Sequence, residues 1–282
     1  MDVITWLIEP ISFAFMQRGL AAGVLAGIAC AVLSAFVVWR GMAFVGDAMA
    51  HTILPGVVIA FLRGANLFVG ALIAAILTAL GIGWFSRDRE VREDTAIGVM
   101  FSGFFALGIL LLSRVRSYQD LTHILFGDIL GVSSTDLWII AGVTVLVIAA
   151  VALFYKELLV TSFDPGHAVA IGLSPELVRY GLLILLALTV VAAIQAVGVV
   201  MVIALLVTPA ATASLLARQL PRIMLLGAVF AVISAVVGLY ASYYANVASG
   251  AAIVLTLTVL FLLAFLFAPR RGLVWRAVRG EA

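Results

Sequence analysis

The second apolar stretch of the chain contains the run Gly46-Asp-Ala-Met-Ala-His-Thr-Ile-Leu-Pro-Gly56. Asp47 and His51 are four residues apart, so on a helix both side chains project from one face and can reach a common target. A carboxylate at membrane depth is energetically costly, and such groups usually mark the path of an ion or a substrate. The run therefore predicts a helix of a membrane protein that handles a cation.

The composition of the chain indicates the same class of protein. Its 282 residues are 65% hydrophobic and only 11% charged, whereas a soluble domain carries about 25% charged residues. Together with a mean hydropathy of +1.28, this predicts an all-α polytopic membrane protein with a single transmembrane domain over residues 1–282. The net charge is only +2, so nothing favours a nucleic-acid partner. Cys30 is the only cysteine, which excludes disulfides within the chain and thiolate metal clusters.

Nine apolar stretches are long enough, or nearly so, to cross a hydrocarbon layer of ~30 Å. They cover residues 13–39, 42–62, 67–86, 94–113, 135–155, 177–196, 198–217, 222–245 and 250–268. The sixth and seventh must meet in a tight turn between Gln195 and Gly198. One long bent helix at that point would reduce the number of spans to eight.

The distribution of arginine predicts the orientation in the membrane. Three arginines lie in residues 86–94 and four in residues 269–280. These segments are therefore expected in the cytoplasm and the amino terminus outside, with no signal peptide.

Two sets of small or helix-breaking residues predict how the spans pack. Gly19, Gly23 and Gly27 form a stripe that lets another helix approach closely, either inside one subunit or at a subunit interface. Pro55 and Gly56 predict a bend in the second span, and Pro209 a bend in the seventh. Because Pro55 has no N–H, the carbonyl oxygen of His51 is predicted to be available to a metal ion or water.

The connection over residues 156–176 predicts a short helix on the cytoplasmic face, at about 164–174. Asp164 is a candidate N-cap with Pro165 at the first helical position, and Gly172 closes the turn. So short a helix has little reason to be stable alone, which predicts a docking partner.

A carboxylate, an imidazole and a carbonyl oxygen suit Mn²⁺, Zn²⁺ or Fe²⁺ better than Cu(I), Mg²⁺ or Ca²⁺. Two side chains are too few for a tight site, but a two-fold dimer would supply two Asp and two His. A proton relay and a hydrogen bond that ties helices together are the alternatives for Asp47 and His51. In the outer loop, Asp120, His123 and Asp128 either guide a cation inward or are solvated loop residues.

No phosphate-binding loop, zinc-protease motif or nucleophile elbow is present, so the chain is predicted not to be an enzyme. Any ATP would be bound by another polypeptide. The alternative function from the residues alone is an ion-coupled secondary carrier that uses Asp47 as its proton or ion site. A membrane scaffold without transport would explain the glycine stripe but not Asp47.

Four segments resemble the permease subunits of manganese, zinc and iron ABC importers (the ABC-3 type), in the family order. They are residues 46–61 (GDAMAHTILPGVVIAF), 126–130 (FGDIL), 163–173 (FDP through AIGL) and 195–213 (QAVGVVMVIALLVTPAATA).

The resemblance implies a type II ABC importer-like permease fold in the inner membrane of a bacterium. It implies a second permease copy, a cytoplasmic ABC ATPase dimer and an extracytoplasmic metal-binding protein, besides membrane lipid. It also implies that Asp47 and His51 hold the transported Mn²⁺, Zn²⁺ or Fe²⁺ transiently, with no permanently bound cofactor. The residues implied to seat the permease on the ATPase are Asp164, Pro165, Gly166, Ala170, Gly172 and Leu173.

Overall fold

The computed structural model of the chain describes residues 8–87, 91–114 and 129–268. Twelve α-helices are defined here over this part of the chain, which contains no strand. They are α1 (Ala14–Trp39), α2 (Val45–Thr52), α3 (Leu54–Leu62), α4 (Leu67–Phe85), α5 (Glu93–Leu112), α6 (Ser134–Leu153), α7 (Tyr155–Phe163), α8 (Pro165–Ala170), α9 (Pro175–Val197), α10 (Val199–Leu216), α11 (Leu220–Ala245) and α12 (Ser249–Phe267). A single 3-10 turn, Ile129–Gly131, precedes α6.

The prediction of nine membrane spans is confirmed over the described residues. The second span is Val45–Leu62, formed by α2 and α3 together, and it begins three residues later than the predicted residue 42. α9 and α10 are separate helices, because Gly198 between them has a φ of +86°, which glycine adopts at little cost and other residues avoid. The alternative of eight spans is therefore wrong.

α1 is the central helix of the bundle. It is 26 residues long, and 67% of its most apolar 18-residue stretch is buried. It packs against α6, α9, α10 and α11. The glycine stripe lies in these contacts. Gly19 faces the backbone of Ile129, and Gly27 faces Ala231 of α11. The stripe thus packs within the subunit. Cys30 is also completely buried in this core.

The two prolines predicted to bend the spans lie in different settings. α2 ends at Thr52 and α3 begins at Leu54, so the second span is interrupted at Ile53, two residues before Pro55. Pro209 lies inside α10. There Ser34 of α1 donates to the carbonyl oxygen of Val207 and accepts from the N–H of Ala210, both at 3.4 Å. A serine from the central helix therefore contacts the backbone on both sides of this proline.

The connection between the fifth and sixth spans contains two short helices, α7 and α8. The predicted helix over about 164–174 is the six-residue helix α8, and Asp164 caps it by accepting from the N–H of His167 at 2.8 Å. Gly172 has a φ of +82°, and the N–H of Leu173 bonds to the carbonyl of Ala168 at 2.9 Å. α7 was not predicted, because residues 156–163 were assigned to the connection that follows the span 135–155.

Gly56 has a packing role that the sequence did not predict. A Cβ atom on Gly56 would overlap the carbonyl oxygen of Gly70 in α4, and one on Gly70 would overlap the carbonyl oxygen of Gly56. The two backbones are in contact, so α3 and α4 can cross at this distance only with glycine at both positions.

We expect Gly70→Ala to lower the free energy of unfolding by about 1–3 kcal/mol, because the added methyl group forces α3 and α4 apart. Thermal unfolding of the purified protein in detergent would show a midpoint several degrees lower. Gly142→Ala in α6 is the matched control, since a Cβ there meets nothing within 4 Å. Equal midpoints for the two variants would contradict the tight crossing.

Candidate metal site

A sharp reversal of the chain after α1 positions the site. Gly41 follows the helix with a φ of +72°. Its N–H bonds to the carbonyl of Val38 at 3.2 Å, and the N–H of Met42 bonds to the carbonyl of Val37 at 3.0 Å. This is the Schellman arrangement, and Val37 and Met42, the two apolar residues at the positions that usually pack together in it, are both fully buried. The chain therefore turns back into the bundle, and α2 begins only a few residues later.

Asp47 lies in the first turn of α2, nearer to the helix start than the sequence predicted. At a helix N-terminus the free N–H groups and the helix dipole favour a carboxylate. Gly46 packs against Leu206, which lies near the middle of α10. The helix thus begins deep in the bundle, and its amino-terminal end partly offsets the cost of placing a charge there.

The two predicted ligands are close together on one face of α2. Nε2 of His51 lies 3.5 Å from Oδ1 of Asp47, which is longer than an ordinary N–H···O hydrogen bond. Two ligand atoms that each lie about 2.1 Å from a tetrahedral metal ion are about 3.4 Å apart. The separation therefore suits two donors to one metal ion. Because both residues belong to one helix, the pair does not tie two helices together.

Both side chains are only partly covered by their own subunit. His51 is 39% exposed and Asp47 42% exposed. In a bilayer such groups need water, an ion or another polypeptide beside them. The open side of the pair is thus available to a ligand.

Two phenylalanines of α5 hold the imidazole ring of His51. Its centroid lies 5.8 Å from that of Phe101 and 5.4 Å from that of Phe105, both in edge-on geometry. The two phenyl rings are stacked on each other at 5.6 Å. They pack against the imidazole ring from the side of α5. Sequence reasoning missed them, because phenylalanine in an apolar span has no local signature of this role.

The carbonyl oxygen of His51 accepts from the N–H of Ile53. A carbonyl oxygen has two lone pairs, so one remains for water or a metal ion. No third His, Cys, Asp or Glu joins Asp47 and His51 within the described ranges. Asp120, His123 and Asp128 lie outside those ranges, so their predicted part in an outer path stays a prediction.

Nine apolar spans in the described part of the chain, together with a half-exposed acidic and imidazole pair, are typical of a polytopic membrane transport protein. Residues 12–268 match the ABC 3 transport family. The chain belongs to this family, which makes it a multi-pass permease subunit of an ABC importer in the bacterial inner membrane, and ATP hydrolysis is the task of a partner subunit.

Individual relatives cover nearly the whole chain. The manganese transport system membrane protein MntC of Halalkalibacterium halodurans is 48% identical over 100% of this chain and 97% of that protein. A probable iron transport system membrane protein of Haemophilus influenzae is 38% identical over 94% of this chain and 98% of that protein.

Two solved structures share the fold. The structure of PsaBC from Streptococcus pneumoniae in complex with Fab has a TM-score of 0.85 and 38% identity, covering 99% of this chain and 100% of that one. An inward-facing putative metal-chelate type ABC transporter has a TM-score of 0.70 at 15% identity, covering 94% of this chain and 89% of that one. The second likeness concerns the fold alone.

Proposed function

We propose that this permease carries a divalent transition-metal ion, with Mn²⁺ favoured, and that Asp47 and His51 bind the ion transiently on its way through the membrane. The observation that carries the proposal is the 3.5 Å separation of their ligand atoms on a half-exposed face of α2. Relatives named for manganese and for iron transport support this class of substrate. Zn²⁺ accepts the same ligands. Family membership removes the support for an ion-coupled secondary carrier.

The proposed transport unit contains two copies of the chain. One copy supplies only two ligand side chains among the described residues, and both are partly exposed. A second copy on a two-fold axis beside α2 would cover them and add another Asp and His. Such a shared ligand set would be complete only in the dimer.

The proposed contact with the ATPase is α8 and its flanks, over residues 164–174. This segment exposes apolar side chains: Val169 is 63% exposed and Ile171 54% exposed. Exposed apolar groups beside a capped helix suit a protein partner better than water. Asp164, Pro165, Gly166, Ala170, Gly172 and Leu173 form this docking segment. ATP binding would pull the two segments together and switch the access of the metal from outside to inside.

The proposed metal site must release its ion quickly. Conduction needs binding that is favourable enough for entry but weak enough for exit. Two side chains per subunit, with water or the second copy completing the shell, meet this demand better than a closed four-ligand site. An extracytoplasmic metal-binding protein would deliver the ion.

We expect Asp47→Asn to reduce metal uptake by well over tenfold, since loss of even the outer partners of metal ligands costs about 10–100-fold in affinity. ATP-dependent uptake of radioactive Mn²⁺, Zn²⁺ and Fe²⁺ would be measured in proteoliposomes that hold the permease, its ATPase and its binding protein. His51→Ala should behave in the same way, and both variants should assemble normally.

The matched control is Asp94→Asn, which removes the same charge from the first turn of another helix, α5. It should transport like the wild type. Wild-type uptake by both Asp47→Asn and His51→Ala would refute the proposed site. The metal that the wild type accumulates identifies the substrate.

Phe105→Ala is expected to raise the metal concentration that gives half-maximal uptake severalfold, because the imidazole of His51 loses part of its orienting contact. Maximal ATP hydrolysis should stay unchanged. Phe265→Ala is the matched control, since Phe261 and Phe265 form a similar stacked pair in α12, at 6.2 Å. An unchanged half-maximal concentration in Phe105→Ala would show that the two rings do not position His51.

A charge in the docking segment should separate the permease from the ATPase. We expect Val169→Asp to abolish co-purification of the ATPase, because a carboxylate would be buried without a partner in an apolar contact. Val169→Leu keeps the apolar surface and should retain the ATPase. Retention by both variants would place the contact elsewhere.

A further inference from the structure

A partly buried pair of hydrogen bonds links the end of α1 to the end of α7. Arg40, the C-cap residue of α1, donates from Nε to Oγ of Ser162 at 3.0 Å and from Nη2 to Oγ1 of Thr161 at 3.3 Å. Residues 161 and 162 directly precede the docking segment, with only Phe163 between. The link therefore connects α1 with α7, which lie more than a hundred residues apart in the sequence.

The two hydroxyl groups are arranged to accept from Arg40. Oγ1 of Thr161 donates to the carbonyl of Glu157 at 2.7 Å, and Oγ of Ser162 donates to the carbonyl of Leu158 at 2.6 Å. Each hydroxyl has one proton, which is thereby committed to its own helix. The lone pairs remain for the N–H groups of the guanidinium, so donors and acceptors match.

A second arginine, Arg179, lies beside this link and bonds to the end of a neighbouring helix. Arg179 of α9 donates to the carbonyl oxygens of Ser86 and Gly83, both at 2.8 Å, and so holds the end of α4. Glu93, at the start of α5, interacts electrostatically with Arg40 and with Arg179. Burial lowers the pKa of Arg40, and the Glu93 carboxylate opposes this shift. Arg40 thus stays charged at a point where four helices end or begin.

The link consists of hydrogen bonds to hydroxyl groups and not of a direct ion pair. Neither of the two ion pairs found in the described part of the chain includes Arg40, whose direct partners there are neutral hydroxyls. A cavity of about 380 Å³ adjoins the guanidinium and is lined by Trp39, Glu93, Glu176 and Arg179 among others. The side chain therefore has room to move when α7 moves.

We propose that Arg40 is a positioning residue that transmits the movement of the docking segment to the metal site. It belongs to the reversal at Gly41 and Met42 that leads directly into α2, and Asp47 follows seven residues after it. A displacement of α7 would pull on Arg40 and so shift the start of the helix that carries Asp47 and His51. This inference rests on the proposed function, because it assumes that α8 contacts the ATPase and that α2 binds the metal.

The test compares metal transported with ATP hydrolysed in the same proteoliposomes. Arg40→Met keeps the aliphatic stem but removes every donor. We expect the amount of Mn²⁺ transported per ATP to fall about fivefold or more, the lower end of usual coupling between sites. ATP hydrolysis and Mn²⁺ binding to the nucleotide-free complex should be retained. Arg40→Lys, with one compact donor group, should restore only part of the ratio.

A second variant removes the acceptors and leaves Arg40 in place. Thr161→Val combined with Ser162→Ala should lower the same ratio, even if Arg40→Met does not fold. Arg87→Met is the matched control. Arg87 lines the same cavity, but its partner is Glu176, at 3.5 Å, in an exposed ion pair. This control should keep the wild-type ratio.

The possible results separate the two proposals. A wild-type ratio in the acceptor-free variant, or a parallel loss of uptake and hydrolysis, would overturn the role of Arg40 while leaving the metal importer intact. An equal fall in Mn²⁺ transported per ATP in Arg87→Met would show that the effect comes from the loss of positive charge in the cavity. That result would also overturn the role of Arg40. If the wild-type complex hydrolyses ATP but takes up no metal, the proposed function itself fails, and the role of Arg40 fails with it.

Discussion

The hydrocarbon core of the membrane supplies no hydrogen bonds, so every backbone polar group inside it must find a partner within the protein. Helices meet this demand along most of the chain. Regular helix is interrupted at Gly41 and Gly198 between spans and at Ile53 within the second span, and α10 contains a proline. At Gly41 two Schellman bonds pair the end of α1, and beside Pro209 the hydroxyl of Ser34 bonds to the backbone of Val207 and Ala210. Particular residues therefore specify these irregular points. The second span begins just after one of them, Gly41, and contains another, Ile53.

The site follows from this constraint. Because the chain reverses at Gly41, α2 starts inside the bundle, and its amino-terminal turn lies where Asp47 needs stabilisation. Because the span breaks at Ile53, the carbonyl of His51 is not fully used by the helix. The same interruptions that would weaken an ordinary span thus shape the place where we propose that a cation binds. The partial exposure of both ligands leaves that place open on one side.

Much of this could be predicted from the sequence, because membrane helices are set by length and hydropathy and a polar pair at i, i+4 is visible within one turn. The features that were missed depend on contacts between distant segments. Gly56 looks like a flexible residue until Gly70 is found opposite its backbone. In the sequence Phe101 and Phe105 resemble lipid-facing residues, and only the structure shows that they contact His51. Arg40 and Ser162 have no local pattern that joins them.

The position of α1 relates the proposed metal site on α2 to the proposed docking segment. This helix packs against four others, so it cannot tilt independently of the bundle, and its carboxyl end carries both Arg40 and the reversal into α2. A shift applied at that end therefore moves the few residues between Arg40 and Val45, and α2 after them, more easily than the packed helix. Those residues include Gly41, whose backbone already has a positive φ. Displacement of the docking segment would thus be concentrated on the metal-bearing helix rather than spread through the bundle.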